Sequence, residues 1–144
     1  MALRYVSVFY PSRSFLAGVA QALEHCPLRL RLMTVAQPGR AGEVLDASDL
    51  SIIDASDRTV DATAVLALSV ERIGRRRTAV YVSESAPQLE IHARSLGAWF
   101  FVGPLRPDEW RSFVACAVAE RGQRQGTRDS LPRRSWDDSA CGSI

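Results

Sequence analysis

Apolar positions along this chain fall into two alternating rhythms. Short β-type runs cover residues 3–10, 28–35, 50–53, 78–82 and 99–102, and between them lie stretches with helical spacing. That alternation is how a parallel sheet covered by crossover helices is written in sequence. Pro11 and Ser12 open the first helix, in which Phe15, Leu16, Val19, Ala20 and Leu23 share one face, and Pro27 closes it. In the second run, leucines 28, 30 and 32 alternate with Arg29 and Arg31, so one side faces solvent, as on an edge strand. Residues 43–47 allow a short helix, and the run 50–53 reads as a strand buried on both faces.

A third helix is predicted over 59–73, with Val60, Ala64, Val65, Leu68 and Val70 on its buried side and Gly74 as its stop. Arg75, Arg76 and Arg77 then form a charged, solvated connector. A fourth helix follows at 87–96, ended by Gly97, and a last one starts at Pro107-Asp108-Glu109, whose acids suit the positive end of a helix. Its buried stripe is Trp110, Phe113, Val114, Ala117 and Val118. From Gly122 onward the pattern stops. Residues 1–121 are therefore read as one domain and 122–144 as a disordered polar tail. The expected architecture is α/β, a doubly wound five-stranded parallel sheet.

Composition narrows the function classes. With 144 residues and 47% hydrophobic content the chain fills one ordinary core. A net charge of +2 demands neither nucleic acid nor an anionic membrane. All 18 basic residues are arginine, so no ε-ammonium is available to any mechanism. The first residues have no signal-peptide core, no apolar run reaches the ~20 residues of a membrane span, and Cys26, Cys116 and Cys141 have no metal-ligand spacing. A reduced, cytoplasmic setting is expected, with no cofactor and no metal, and Cys116 is expected to pack in the core.

Functional residues of a doubly wound sheet gather at the carboxyl ends of its strands. Here those ends carry Tyr10-Pro11, Asp54, Ser83 and Gly103-Pro104. Ser12 and Ser14 flank Arg13 near a helix start, where an anion could sit, but glycine is lacking and helix capping is the expected role. His25 and His92 lie among helical polar residues away from strand ends.

At this point the chain resembles the receiver domains of bacterial response regulators, over roughly residues 3–121. The resemblance implies flavodoxin-like topology with strand order 2-1-3-4-5. Asp54 matches the phosphoacceptor, Ser83 the phosphoryl-contacting hydroxyl, Leu96-Gly97-Ala98 the step before the last strand, and Phe100 the aromatic switch residue. Gly103-Pro104 matches the lysine-proline pair. The departures remove chemistry. The two carboxylates that would hold Mg²⁺ are replaced by Tyr10 and Pro11, the first acid in the chain being Glu24, and the lysine is replaced by Gly103.

The resemblance and its departures together imply a stand-alone, phosphorylation-independent pseudo-receiver, not an enzyme, that binds another signalling protein or forms a homodimer. Arg13 is expected to pair with Asp54. The expected interaction surface includes Glu90, Ile91, Arg94, Arg106, Trp110 and Arg111. Two alternatives stay open: a single-domain response regulator phosphorylated on Asp54, and a flavodoxin-like ligand-binding domain or enzyme.

Overall fold

The structure is a computed structural model that describes residues 3–24, 29–35, 38–57, 61–104 and 106–126. Five parallel strands, β1 (Leu3–Phe9), β2 (Arg29–Val35), β3 (Leu50–Asp54), β4 (Thr78–Val82) and β5 (Trp99–Val102), form one sheet in the order β2-β1-β3-β4-β5. The helices are α1 (Arg13–Glu24), α2 (Ala41–Asp46), α3 (Ala62–Ile73), α4 (Pro87–Ser95) and α5 (Pro107–Gly126). This is the receiver topology, with β2 on an edge as its leucine-arginine alternation predicts; Arg31 is exposed and Leu32 half-buried.

Because successive strand residues point to opposite faces, the sheet builds two cores. On one face Val6, Val8, Leu50, Ile52, Tyr81 and Phe101 meet Phe15 of α1 and Trp110, Phe113 and Val114 of α5. On the other, Phe9, Ile53, Val80, Val82 and Phe100 meet Leu45 of α2, Val65, Leu66 and Ile73 of α3, and Ala93 of α4. All five residues of β3 and of β4 are buried, since helices cover both sides.

Several expectations are corrected. Helix α3 begins at Ala62, capped by Asp61, whose carboxylate accepts from the Thr63 amide at 3.2 Å and the Thr63 hydroxyl at 2.6 Å. Its buried face is Ala62, Val65, Leu66, Ser69 and Ile73, while Ala64 is exposed; Val60 lies outside the described residues. The arginine connector 75–77 is a 3₁₀ turn in which Arg75 is exposed as expected, but Arg77 is buried with its Nε donating to the Ile73 carbonyl at 2.7 Å. Helix α5 runs to Gly126, so residues 122–126 are helical rather than part of a disordered tail; the rest of the expected tail lies outside the described residues. Cys116 is buried on α5 as expected, but it is disulfide-bonded rather than a free thiol.

Candidate functional site

Loops that follow β1 and β3 meet at Asp54. It ends β3, is only 1% exposed, and stands in register beside Tyr81 of β4. A buried carboxylate must find donors, and it finds them in two loops. Its Oδ2 accepts from the Ser12 amide at 3.0 Å and the Ser12 hydroxyl at 2.9 Å. Its Oδ1 accepts from the Ser56 amide at 2.9 Å, the local turn that aspartate favours.

Ser12 works in both directions. While its hydroxyl donates to Asp54, the same oxygen accepts from the Phe15 amide at 3.2 Å, which caps α1. The Asp54 charge therefore sits at the positive end of α1, where a helix favours an anion. Ser56 extends the chain: its hydroxyl oxygen accepts from the Ser83 amide at 3.0 Å.

Arg13, the expected partner, does not pair with Asp54. Its side chain is exposed on the first turn of α1, and the carboxylate's charge is already met by Ser12, Ser56 and the helix end. The Ser83 side chain is also exposed; what reaches the site is its backbone amide, through Ser56. Between Ala55, Ser56, Val82, Ser83, Glu84 and Ala86 lies a cavity of about 30 Å³, room for roughly one water molecule.

The position matching the family's lysine is closed. A Cβ on Gly103 would stand 2.6 Å from the Tyr81 hydroxyl and 3.4 Å from the Ser83 backbone. Tyr81 reaches there because its ring is held against Phe15, with centroids 4.9 Å apart. Burial pushes the Tyr81 phenol above its ordinary pKa, and the nearby Asp54 charge adds to the shift. Pro104 follows Gly103 through a cis peptide and is exposed.

Mg²⁺, which a receiver would hold here, does not fit this donor set. Asp54 is the carboxylate that ends β3, the end of β1 supplies none, and N–H or O–H groups already address both Asp54 oxygens. The end of β1 supplies Tyr10, in a left-handed backbone conformation with φ 57°, and half-buried Pro11. Among the described residues, no three His, Cys, Asp or Glu side chains are grouped to hold a metal ion.

The remaining predicted residues divide. Phe100 is buried in the core that faces α3 and α4. Ile91 is 69% exposed on α4, and Arg94, Arg106 and Arg111 are exposed, with Arg94 Nε donating to Glu90 at 2.9 Å. Trp110 is 0% exposed and cannot belong to that surface; it packs under α5 against Phe101 and Phe113. Sequence reasoning missed Ser56 and Tyr81. The Asp-x-Ser spacing hinted at the turn made by Ser56, but nothing local marked Tyr81 as the residue that fills the space beside Gly103.

No family model matches the chain, and no curated protein matches it. Solved structures do. A response regulator receiver domain protein from Methanospirillum hungatei JF-1 superposes with a TM-score of 0.65 at 13% identity, covering 85% of this chain and 99% of its own. The signal receiver domain of a candidate response regulator from Mycobacterium tuberculosis gives 0.62 at 21% identity, covering 82% of this chain and 98% of its own. A candidate pilus assembly-related protein from Burkholderia pseudomallei K96243 gives 0.57 at 22% identity, covering 81% and 90%. The chain has the fold of a response-regulator receiver domain. At these identities the likeness carries the fold and nothing finer.

Proposed function

We propose that this chain is a pseudo-receiver: a signalling module that works by binding another protein without being phosphorylated. The observation that carries the reading is the state of Asp54, buried with both oxygens engaged by Ser12 and Ser56. Phosphoryl transfer to a carboxylate needs an accessible oxygen and cations to stabilise the charge of the transferring group. Here the end of β1 supplies no carboxylate, the chain has no lysine, and the Tyr81 phenol lies on the side where that lysine would stand.

The proposed docking surface lies on α4, β5 and the start of α5. It offers Ile91 and Val102, 69% and 41% exposed, set among Glu90, Arg94, Arg106 and Arg111. Exposed apolar side chains together with charged ones suit a protein partner or a second copy of the chain. A candidate pilus assembly protein from Burkholderia thailandensis E264, at 22% identity and TM-score 0.53, shares this fold with the pilus assembly-related protein, so assembly machinery is one place to seek that partner. The Cys116 disulfide runs against the reduced, cytoplasmic setting read from the cysteine spacing, since reducing compartments disfavour such bonds.

Incubation with acetyl phosphate and Mg²⁺ tests the central point. Intact-protein mass is expected to stay unchanged. Gain of a phosphoryl group that Asp54→Asn abolishes would restore the alternative of a working response regulator.

A further inference from the structure

The bonds around Asp54 join three separate loops. Ser12 belongs to the β1–α1 loop, Ser56 to the β3–α3 loop and Ser83 to the β4–α4 loop, and each is tied either to the carboxylate or to a residue that the carboxylate holds. We propose that Asp54 is the pin of a preset latch, its own carboxylate fixing in one arrangement the three loops at the carboxyl end of the sheet. This deepens the pseudo-receiver reading, on which it rests.

The donor pattern makes the latch specific for a carboxylate. Oδ2 receives two donors from Ser12 and Oδ1 receives one from Ser56, so every contact requires an acceptor. An asparagine would turn an NH₂ group toward one of those donors, leaving N–H facing N–H. Replacement by asparagine, harmless where aspartate merely crowds other acids, is therefore disruptive here. The linkage also has a direction. Ser56 can hold the Ser83 amide only while its own backbone stays turned onto Asp54, so loss of the carboxylate is felt at Ser83 without any direct contact. Ser12, which caps α1 with the same hydroxyl oxygen that donates its hydrogen bond to Asp54, carries the same event into the helix.

Residue-resolved amide hydrogen exchange on the full chain tests this. In Asp54→Asn the Ser12, Ser56 and Ser83 amides are expected to exchange together, at least roughly tenfold faster, because each loses a charge-assisted bond or the residue that such a bond positions. The Ile52 and Val80 amides, in the strands, serve as reference and keep their rates. Ser56→Ala is expected to speed Ser83 alone. Should the asparagine variant not fold, Ser12→Ala removes one hydroxyl and is expected to speed Ser56 and Ser83 as well as Phe15; acceleration confined to Phe15 overturns the latch. An unchanged Ser83 rate in a folded Asp54→Asn chain overturns it equally. Coupled rates in a chain that takes phosphate from acetyl phosphate would refute the pseudo-receiver reading and leave the latch, whereas uncoupled rates in a chain that takes none would do the reverse.

Discussion

At the scale of single residues, Gly103 and Tyr81 explain one another. Glycine stands at the end of β5 because the Tyr81 hydroxyl lies 2.6 Å from where its Cβ would be, and Tyr81 cannot retreat because Phe15 backs its ring. Interiors tolerate overpacking poorly, so Gly103→Ala is expected to cost about 1–3 kcal/mol in urea unfolding. Tyr81→Phe removes the obstructing oxygen and keeps the ring. In that background the same glycine substitution is expected to cost less, with a coupling of at least ~0.5 kcal/mol in the double-mutant cycle. Equal costs in the two backgrounds would mean that the phenol is not what excludes a side chain there. The pair also shows that a lysine at position 103 would meet the Tyr81 hydroxyl.

At the scale of elements, the face made by α4, β5 and α5 separates exposed side chains from those that serve the core. Ile91→Arg and Val102→Arg alter exposed positions and are expected to change stability by no more than about 0.5 kcal/mol, whereas Trp110→Ala empties a fully buried site and is expected to cost about 3–5 kcal/mol. Thermal or denaturant melts of the three variants check this. A large loss at Ile91 or Val102 would show that these side chains support the fold. Trp110 also shows where reading the sequence went astray. Its helical spacing with Phe113 and Val114 placed it in the buried stripe, while position matching within the family placed it on the surface; the periodicity was right because it reports packing in this chain. The five strands, their layers and the edge position of β2 were legible for the same reason: alternation and run length record burial directly. The partners of Asp54 were not. Ser12 lies 42 residues away in sequence, and a bond across that distance leaves no local pattern. Arg77 escaped for a related reason, since its burial depends on how the turn before β4 packs and not on the arginine run it belongs to.

At the scale of the whole molecule, two phenols near the carboxyl ends of the strands link stability to alkaline pH. Burial raises the Tyr81 phenol, with Asp54 adding to the effect, and burial raises the Tyr10 phenol, with Asp61 adding to it. Both phenols therefore hold their protons more tightly in the folded chain than in the unfolded one, where a tyrosine titrates near pH 10. Below about pH 10 both states are protonated and the stability is fully present. Above it the unfolded chain loses its protons first, so stability falls as the pH rises through the folded-state values. Thermal melts taken from about pH 8 to pH 11.5 are expected to show a falling transition temperature above pH 10 in the native sequence. The fall should be shallower in Tyr81→Phe and in Tyr10→Phe, because each substitution removes one of the linked protons. The larger flattening is expected at Tyr81, whose release of a proton would place a phenolate beside the Asp54 carboxylate and set two like charges against the Ser12 and Ser56 bonds that hold three loops together. Parallel curves for all three proteins would locate the alkaline linkage elsewhere in the fold.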